Sequence, residues 1–200
     1  SLDFAPGAPF NSVYMSQMIG ISRTPVREAV IQLSEESRII EIFPQRGMRI
    51  ALIDVELVEE ARFLRLVLEK AAVELVCGEA DEEDLQWLDE NIRLQEFYLE
   101  GGSSRKLLEL DNEMHRKLFS ICRKELTYEM CQRLAIHYDR IRSLSVAAVK
   151  DHKIIEDHKK LLEAIRSRDK KKAAETMDLH LNRWMMNEQM FRNQYPTYFK

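Results

Sequence analysis

The stretch Ile21-Ser-Arg-Thr-Pro-Val-Arg-Glu-Ala-Val30 opens a helix with two arginines at its exposed start. Thr24 can cap that helix, and Pro25 suits the first helical position, where its missing N–H would have had no partner. Val26, Val30 and Leu33 recur at helical spacing and predict a buried face. Upstream, Ser12 can cap a short helix over Val13 to Ile19 and Gly20 breaks it, so the order is helix, tight turn, helix. Downstream, Arg38 to Phe43 and Met48 to Leu52 read as two strands around Pro44-Gln-Arg-Gly47. A hairpin behind a helix-turn-helix makes a wing, which predicts a winged helix-turn-helix domain over residues 1–53.

From Asp54 onward the texture changes to long segments of 3.6-residue period. Six helices are expected, over 55–77, 82–100, 104–122, 126–149, 152–167 and 170–191, with Asp81 and Asp169 as N-caps. Their short connections favour antiparallel neighbours, so residues 54–200 predict an all-helical bundle and the chain as a whole is mainly α. Composition agrees: Gly and Pro together supply 11 of 200 residues, too few for an all-β sandwich.

The longest uncharged stretch, Phe4 to Ser22, holds two prolines and two glycines, so no membrane span is expected, and without a basic leading region no export signal either. Three cysteines, Cys77, Cys122 and Cys131, lack metal-type spacing and predict reduced, buried thiols in a cytoplasmic protein. The net charge of −4 gives no global attraction to nucleic acid, so any such contact must come from a local patch. Arg23, Thr24 and Arg27 form one at the start of the second helix, where side chains of a recognition helix reach base edges. Arg46 and Arg49 extend it onto the wing. Read together, Ile21 to Val30 and the wing segment Pro44 to Gly47 resemble the winged helix-turn-helix of the GntR family of bacterial transcription regulators. The resemblance implies that Arg23, Thr24 and Arg27 contact operator DNA and that Gly47, beside Arg46, lets the wing tip approach the groove. It further implies a homodimer on a palindromic operator. The family carries one more helix ahead of the segment beginning at Leu2, and that first helix is expected to be missing here.

In the helical part, Leu108, Asp111, His115, Phe119 and Cys122 share one helix face. Ile154, His158, Leu161 and Ile165 share another, and Ala173, Met177, His180 and Trp184 a third. Any one inward histidine reads as a packed structural residue, but a buried carboxylate is costly without a compensating charge. Three imidazoles and one carboxylate are the N and O donors that a divalent transition metal prefers: zinc first, with nickel, manganese or iron as alternatives. His137 borders an apolar stripe with Leu134, Ile141 and Leu144, and either packs there or lines the cavity. His152, near a helix start, is expected to be solvated. Arg65, among Val58, Ala61, Leu68 and Ala72, and Arg142, among Tyr138, Val146 and Val149, also face inward. A buried guanidinium needs an anion, either an internal partner such as Glu69 or Asp139 or a bound ligand.

Leu110-Asp-Asn-Glu-Met-His-Arg-Lys-Leu118, with His158 and His180, resembles the metal-binding FCD effector domain of the FadR branch of GntR regulators. In that likeness the metal ligands fall on Asp111, His115, His158 and His180, and a carboxylate effector lies beside the metal, held by arginines matching Arg65 and, less directly, Arg142. Met114 stands where the family often has an aromatic residue. The expectation is a ligand-responsive regulator, such as a repressor, in which a small organic acid changes the placement of paired DNA-reading domains. Two rivals stay open: a metal-dependent hydrolase and a regulator sensing the metal ion itself. The hydrolase is not favoured, because Glu113, the nearest candidate base, points away from Asp111 and His115, and an enzyme would not need the front domain.

Overall fold

The computed structural model describes residues 4–148, 152–183 and 188–200. It begins with β1 (Pro9–Phe10), α1 (Ser12–Ile19), α2 (Arg23–Glu36), β2 (Ile40–Phe43) and β3 (Gly47–Ile50). β3 pairs antiparallel with both other strands, giving the order β1-β3-β2. β1 is an addition to the expected two-stranded wing; it ties the leading segment to the sheet through Pro9 opposite Arg49.

Local details depart from the sequence reading. Asn11, one residue earlier than Ser12, caps α1 by accepting from Val13 N and Tyr14 N. Ser22 occupies the N-cap position of α2, so Thr24 and Pro25 lie inside the first turn, where proline's absent N–H is still harmless. Val26 and Val30 are buried against Ile40 and Ile50, but Leu33 is exposed, because the three short strands do not reach the last turn of α2. Gly20 ends α1 in the left-handed conformation, and Gly47 closes the wing turn at φ 100°, where a side chain would be strained although nothing crowds it.

The helical part comprises α3 (Val55–Glu79), α4 (Glu82–Glu100), α5 (Ser104–Ile121), α6 (Glu125–Leu134), α7 (Ile136–Ala148), α8 (His152–Arg166), α9 (Lys170–Asn182) and α10 (Glu188–Gln194), then a short 3-10 turn at Pro196–Tyr198. Asp81 makes a capping box with Asp84, and Asp169 accepts from Lys172 N, as expected of both caps. α3 packs on α9, α7 and α5, while α4 packs on α5 and α8. The main core gathers Val73, Val76, Leu118, Phe119, Leu161 and Met177.

The helix expected over 126–149 is two helices hinged at Ala135, with no Gly or Pro to announce the break, and residue 149 lies outside the described residues. That expected over 170–191 contributes α9 and α10, with residues 184–187, including Trp184, outside the description. Cys77, Cys122 and Cys131 are buried and unbonded to one another. Among the described residues no helix is long and apolar enough to cross a membrane.

The junction between the two parts is packed. Ile53 is fully buried with Val58, Tyr138, Ile141, Phe191 and Phe199. Its N–H donates to Tyr198 O at 2.7 Å, and Lys200 N donates back to Ile53 O at 3.1 Å, so the final residues run beside the linker as a parallel bridge. Arg140 of α7 is buried and donates to Ala51 O at 2.6 Å and Leu52 O at 3.4 Å.

Candidate metal and ligand site

Asp111 and His115 stand one turn apart on α5, His158 comes from α8 and His180 from α9. Each offers one ligand atom, and these four atoms lie within 4.8 Å of one another. His180 Nε2 is 3.3 Å from His115 Nε2 and 3.4 Å from His158 Nε2, while the Asp111 carboxylate lies 3.4 Å from His158 Nε2 and 3.7 Å from His115 Nε2. Tetrahedral donors about 2.0–2.1 Å from a zinc ion would stand about 3.3–3.4 Å apart, close to these separations.

The far sides of the rings assign the protons. His158 Nδ1 faces Gln95 Oε1 at 2.9 Å, and Gln95 is held that way round because its amide donates to Asn91 Oδ1 at 2.7 Å, while Asn91 donates to Leu110 O. His115 Nδ1 lies 2.5 Å from Glu69 Oε2, a close contact outside good hydrogen-bond alignment. The Gln95 oxygen can only accept, so His158 Nδ1 carries the ring hydrogen and its Nε2 is left with a bare lone pair, and the Glu69 carboxylate beside His115 Nδ1 favours the same tautomer there. Two imidazole nitrogens and a carboxylate face one point with a single neighbouring ring nitrogen, His180 Nε2, that could donate to any of them, an arrangement that suits a cation, and partners on the far ring nitrogens are how metal-binding imidazoles are usually held.

Electrostatics prepares the same state. Burial pushes His158 down to about 4 against the pull of Asp111, and His180, open to the cavity, is lowered too by burial and the neighbouring rings. Both are neutral, as ligation requires. Burial opposes the charge on Asp111, but the Arg142 guanidinium paired with it holds its carboxyl well below the usual range.

Beside the cluster lies a cavity of about 50 Å³ bordered by Arg65, Asp111, Tyr138, Arg142, His180 and Arg183. Arg65 is 1% exposed; its Nε donates to Glu69 Oε1 at 2.7 Å and its guanidinium lies over the Tyr138 ring at 5.1 Å. Its Nη1 and Nη2 have no hydrogen-bond partner among the described residues. Arg142 is engaged through both terminal nitrogens, donating to Asp111, to Asp139 Oδ1 at 2.7 Å and to Asn112 Oδ1 at 2.9 Å. Each arginine thus has an internal partner, but only Arg65 keeps buried donors to spare.

Residues 60–183 match the model of the FCD domain. The chain belongs to the FCD family. It is 28% identical over 196 residues to the HTH-type transcriptional repressor RspR of Escherichia coli, an alignment covering 98% of this chain and 86% of that one. Its fold is shared with Escherichia coli McbR/YncC (TM-score 0.79, 20% identity, 96% and 90% of the two chains). A GntR transcriptional regulator from Rhodococcus sp. RHA1 is similarly close in structure (TM-score 0.74, 19% identity, again 96% and 90%). The protein is a transcription regulator with an FCD domain, and its relatives are regulators rather than enzymes.

Within the FCD part, Glu113 is exposed and turned from the cluster, so it is no general base for it. His137 does not line the metal-side cavity: its Nε2 lies 3.2 Å from Ser37 O, at the junction with the front domain, and burial lowers its pKa. Leu134, grouped with it on spacing, is exposed because the break at Ala135 ends that stripe. His152 is exposed. Three supporting residues escaped the sequence reading. Gln95 and Arg140 carried no signal beyond an inward position, whereas Glu69 was visible only as a possible partner for Arg65.

On the front domain, Arg23, Thr24 and Arg27 are exposed along the first turns of α2, and Arg46 and Gly47 are exposed at the wing tip. Arg27 and Gly47 border one shallow pocket between helix and wing. Arg49 instead pairs with Glu41 and lies over the Phe43 ring, which withdraws it from the patch.

Proposed function

We propose that this regulator belongs to the FadR branch of the GntR family, holds a divalent transition metal on Asp111, His115, His158 and His180, and senses a small carboxylate beside it. The observation that carries the reading is the pairing of a cluster that suits a cation with two unspent, buried guanidinium donors in the adjoining cavity. The donor set suits zinc, and nickel, manganese or iron remain chemically acceptable. The ion would supply a Lewis-acid anchor for one carboxylate oxygen of the ligand. Arg65 supplies the second anchor, and Tyr138 and Leu107 shape the wall. The cavity of about 50 Å³ has room for a short carboxylate.

Residues 1–53 are the DNA-reading unit in this proposal and 54–200 the sensing unit. Arg23, Thr24 and Arg27 sit at the N-terminal end of α2, where amides favour phosphate and side chains reach base edges, and Arg46 with Gly47 follows the adjacent backbone. A homodimer places two such helices on the halves of a palindromic operator. α7 connects the units: Tyr138 and Arg142 border the cavity, while His137 and Arg140 hold Ser37, Ala51 and Leu52. An acid that favours one position of α7 then changes operator affinity, and operator changes acid affinity by the same factor.

Two measurements test this. In a thermal-shift screen of short carboxylates, zinc-loaded protein is expected to gain several degrees with the cognate acid, and Arg65→Met to lose that gain while still binding zinc. Shifts identical in the variant would refute the role of Arg65. In mobility-shift titrations, Arg27→Ala is expected to lose on the order of 1–3 kcal/mol of discrimination between operator and unrelated DNA. Unchanged selectivity would remove Arg27 from the base-reading set.

A further inference from the structure

Glu69 stands between the two halves of the proposed site. Its Oε1 accepts from Arg65 Nε at 2.7 Å, and its Oε2 lies 2.5 Å from His115 Nδ1. Arg65 and Glu69 are one turn apart on α3, His115 faces them from α5, and all three side chains are almost wholly buried. An internal salt bridge serving only to neutralise Arg65 would be expected to take its Nη groups, as Asp157 takes both a terminal nitrogen and Nε of Arg183. Glu69 takes Nε alone, so it aims Arg65 at the cavity without capping it.

We infer that Glu69 is a positioning residue coupling the metal centre to the anion-binding arginine, so that each site tunes the affinity of the other. The inference rests on the metal-and-carboxylate reading above. One carboxylate separates two cationic positions. When His115 gives its Nε2 lone pair to a cation, its ring becomes more positive and attracts the nearby Oε2 charge more strongly. Less of the Glu69 charge then offsets Arg65, which becomes a better anion holder. An anion on Arg65 in turn leaves Glu69 freer to support His115, so metal and acid reinforce each other, reciprocally.

The test needs only zinc as probe, with the full chain and chelator competition to read affinity. Glu69→Gln keeps the size and an acceptor but removes the charge facing His115 Nδ1–H, and zinc affinity is expected to fall about 10–100-fold. Arg65→Met removes a cation near the bound cation and leaves Glu69 to His115 alone, so zinc affinity is expected to rise. Opposite signs separate coupling from simple damage to packing, which would weaken zinc binding in both variants. Glu69→Asp, which retains the charge, should recover part of the loss, and it also serves if Glu69→Gln does not fold. Wild-type zinc affinity in Glu69→Gln, or weakened binding in both Glu69→Gln and Arg65→Met, overturns the coupling and leaves the metal centre standing. Failure of the wild-type chain to bind zinc overturns both.

Discussion

The His158→Ala protein is expected to melt at the same temperature with and without a strong chelator, whereas the wild-type, zinc-loaded protein should lose on the order of 10 °C when the chelator is added. A ligand present at a thousand times its dissociation constant stabilises a fold by about 4 kcal/mol, and a domain of this size shifts by roughly 2–4 °C per kcal/mol. The comparison is internal to each protein because the substitution also has a direct cost. Gln95 Oε1 loses the His158 Nδ1–H donor, and a buried acceptor left unpaired costs about 1–3 kcal/mol. His158 is the informative choice among the four ligands. It is fully buried, it meets both Asp111 and His180, and its amide support runs through Gln95 and Asn91 to a backbone carbonyl. Elemental analysis of protein purified without chelator gives the second readout, about one metal per wild-type chain and none in the variant. Stoichiometric metal in His158→Ala would mean that the ion, if any, is held elsewhere.

Arg140→Met is expected to turn one cooperative unfolding transition into two, with the winged unit melting first. Arg140 is 2% exposed, has no carboxylate partner among the described residues, and gives its hydrogen bonds to the carbonyls of Ala51 and Leu52. Burial alone pushes its pKa down to about 10, so the guanidinium stays charged at neutral pH. Bonds from a charged donor contribute roughly 1.5–3 kcal/mol each, and methionine leaves both linker carbonyls without them. Part of that loss is offset because a desolvated charge also disappears. The helical core and the zinc affinity should be untouched, since Arg140 meets neither. Calorimetry reads the transitions, and limited proteolysis should cut the variant within residues 51–54 at protease levels that spare the wild type. A single transition at the wild-type temperature would remove Arg140 as the clasp between the units.

Much of this architecture is legible in the sequence because it is local. Gly20 between two short helices, the hairpin around Pro44 to Gly47, and the caps at Asp81 and Asp169 all depend on residues a few positions apart. The four candidate ligands were legible for a related reason: period alone puts Asp111 and His115 on one face of α5, and His158 and His180 on apolar faces of their own. Their meeting was suggested by family resemblance, since a period says which way a side chain faces but not what it meets. The same limit hid the support around them. Glu69 and Gln95 matter because α3 and α4 bring them against histidines 46 and 63 positions later. The hinge at Ala135 left no trace, as neither glycine nor proline marks it, and Arg140 lies on the helix that follows it. Leu33 and Leu134 fail the other way: their spacing is right for a core, but no neighbouring element extends far enough to cover them.

The bridge between Ile53 and Phe199 has a consequence for synthesis. During translation the winged unit leaves the ribosome first and has its own small core of Val26, Val30, Ile40 and Ile50. Its orientation is a different matter, because the seam holding Ile53 is completed only by Tyr198 to Lys200. A nascent chain can therefore carry a finished winged core before the strand-like seam against Ile53 exists, and until Phe199 emerges the placement of that core on the helical part falls to the bonds from Arg140 and His137.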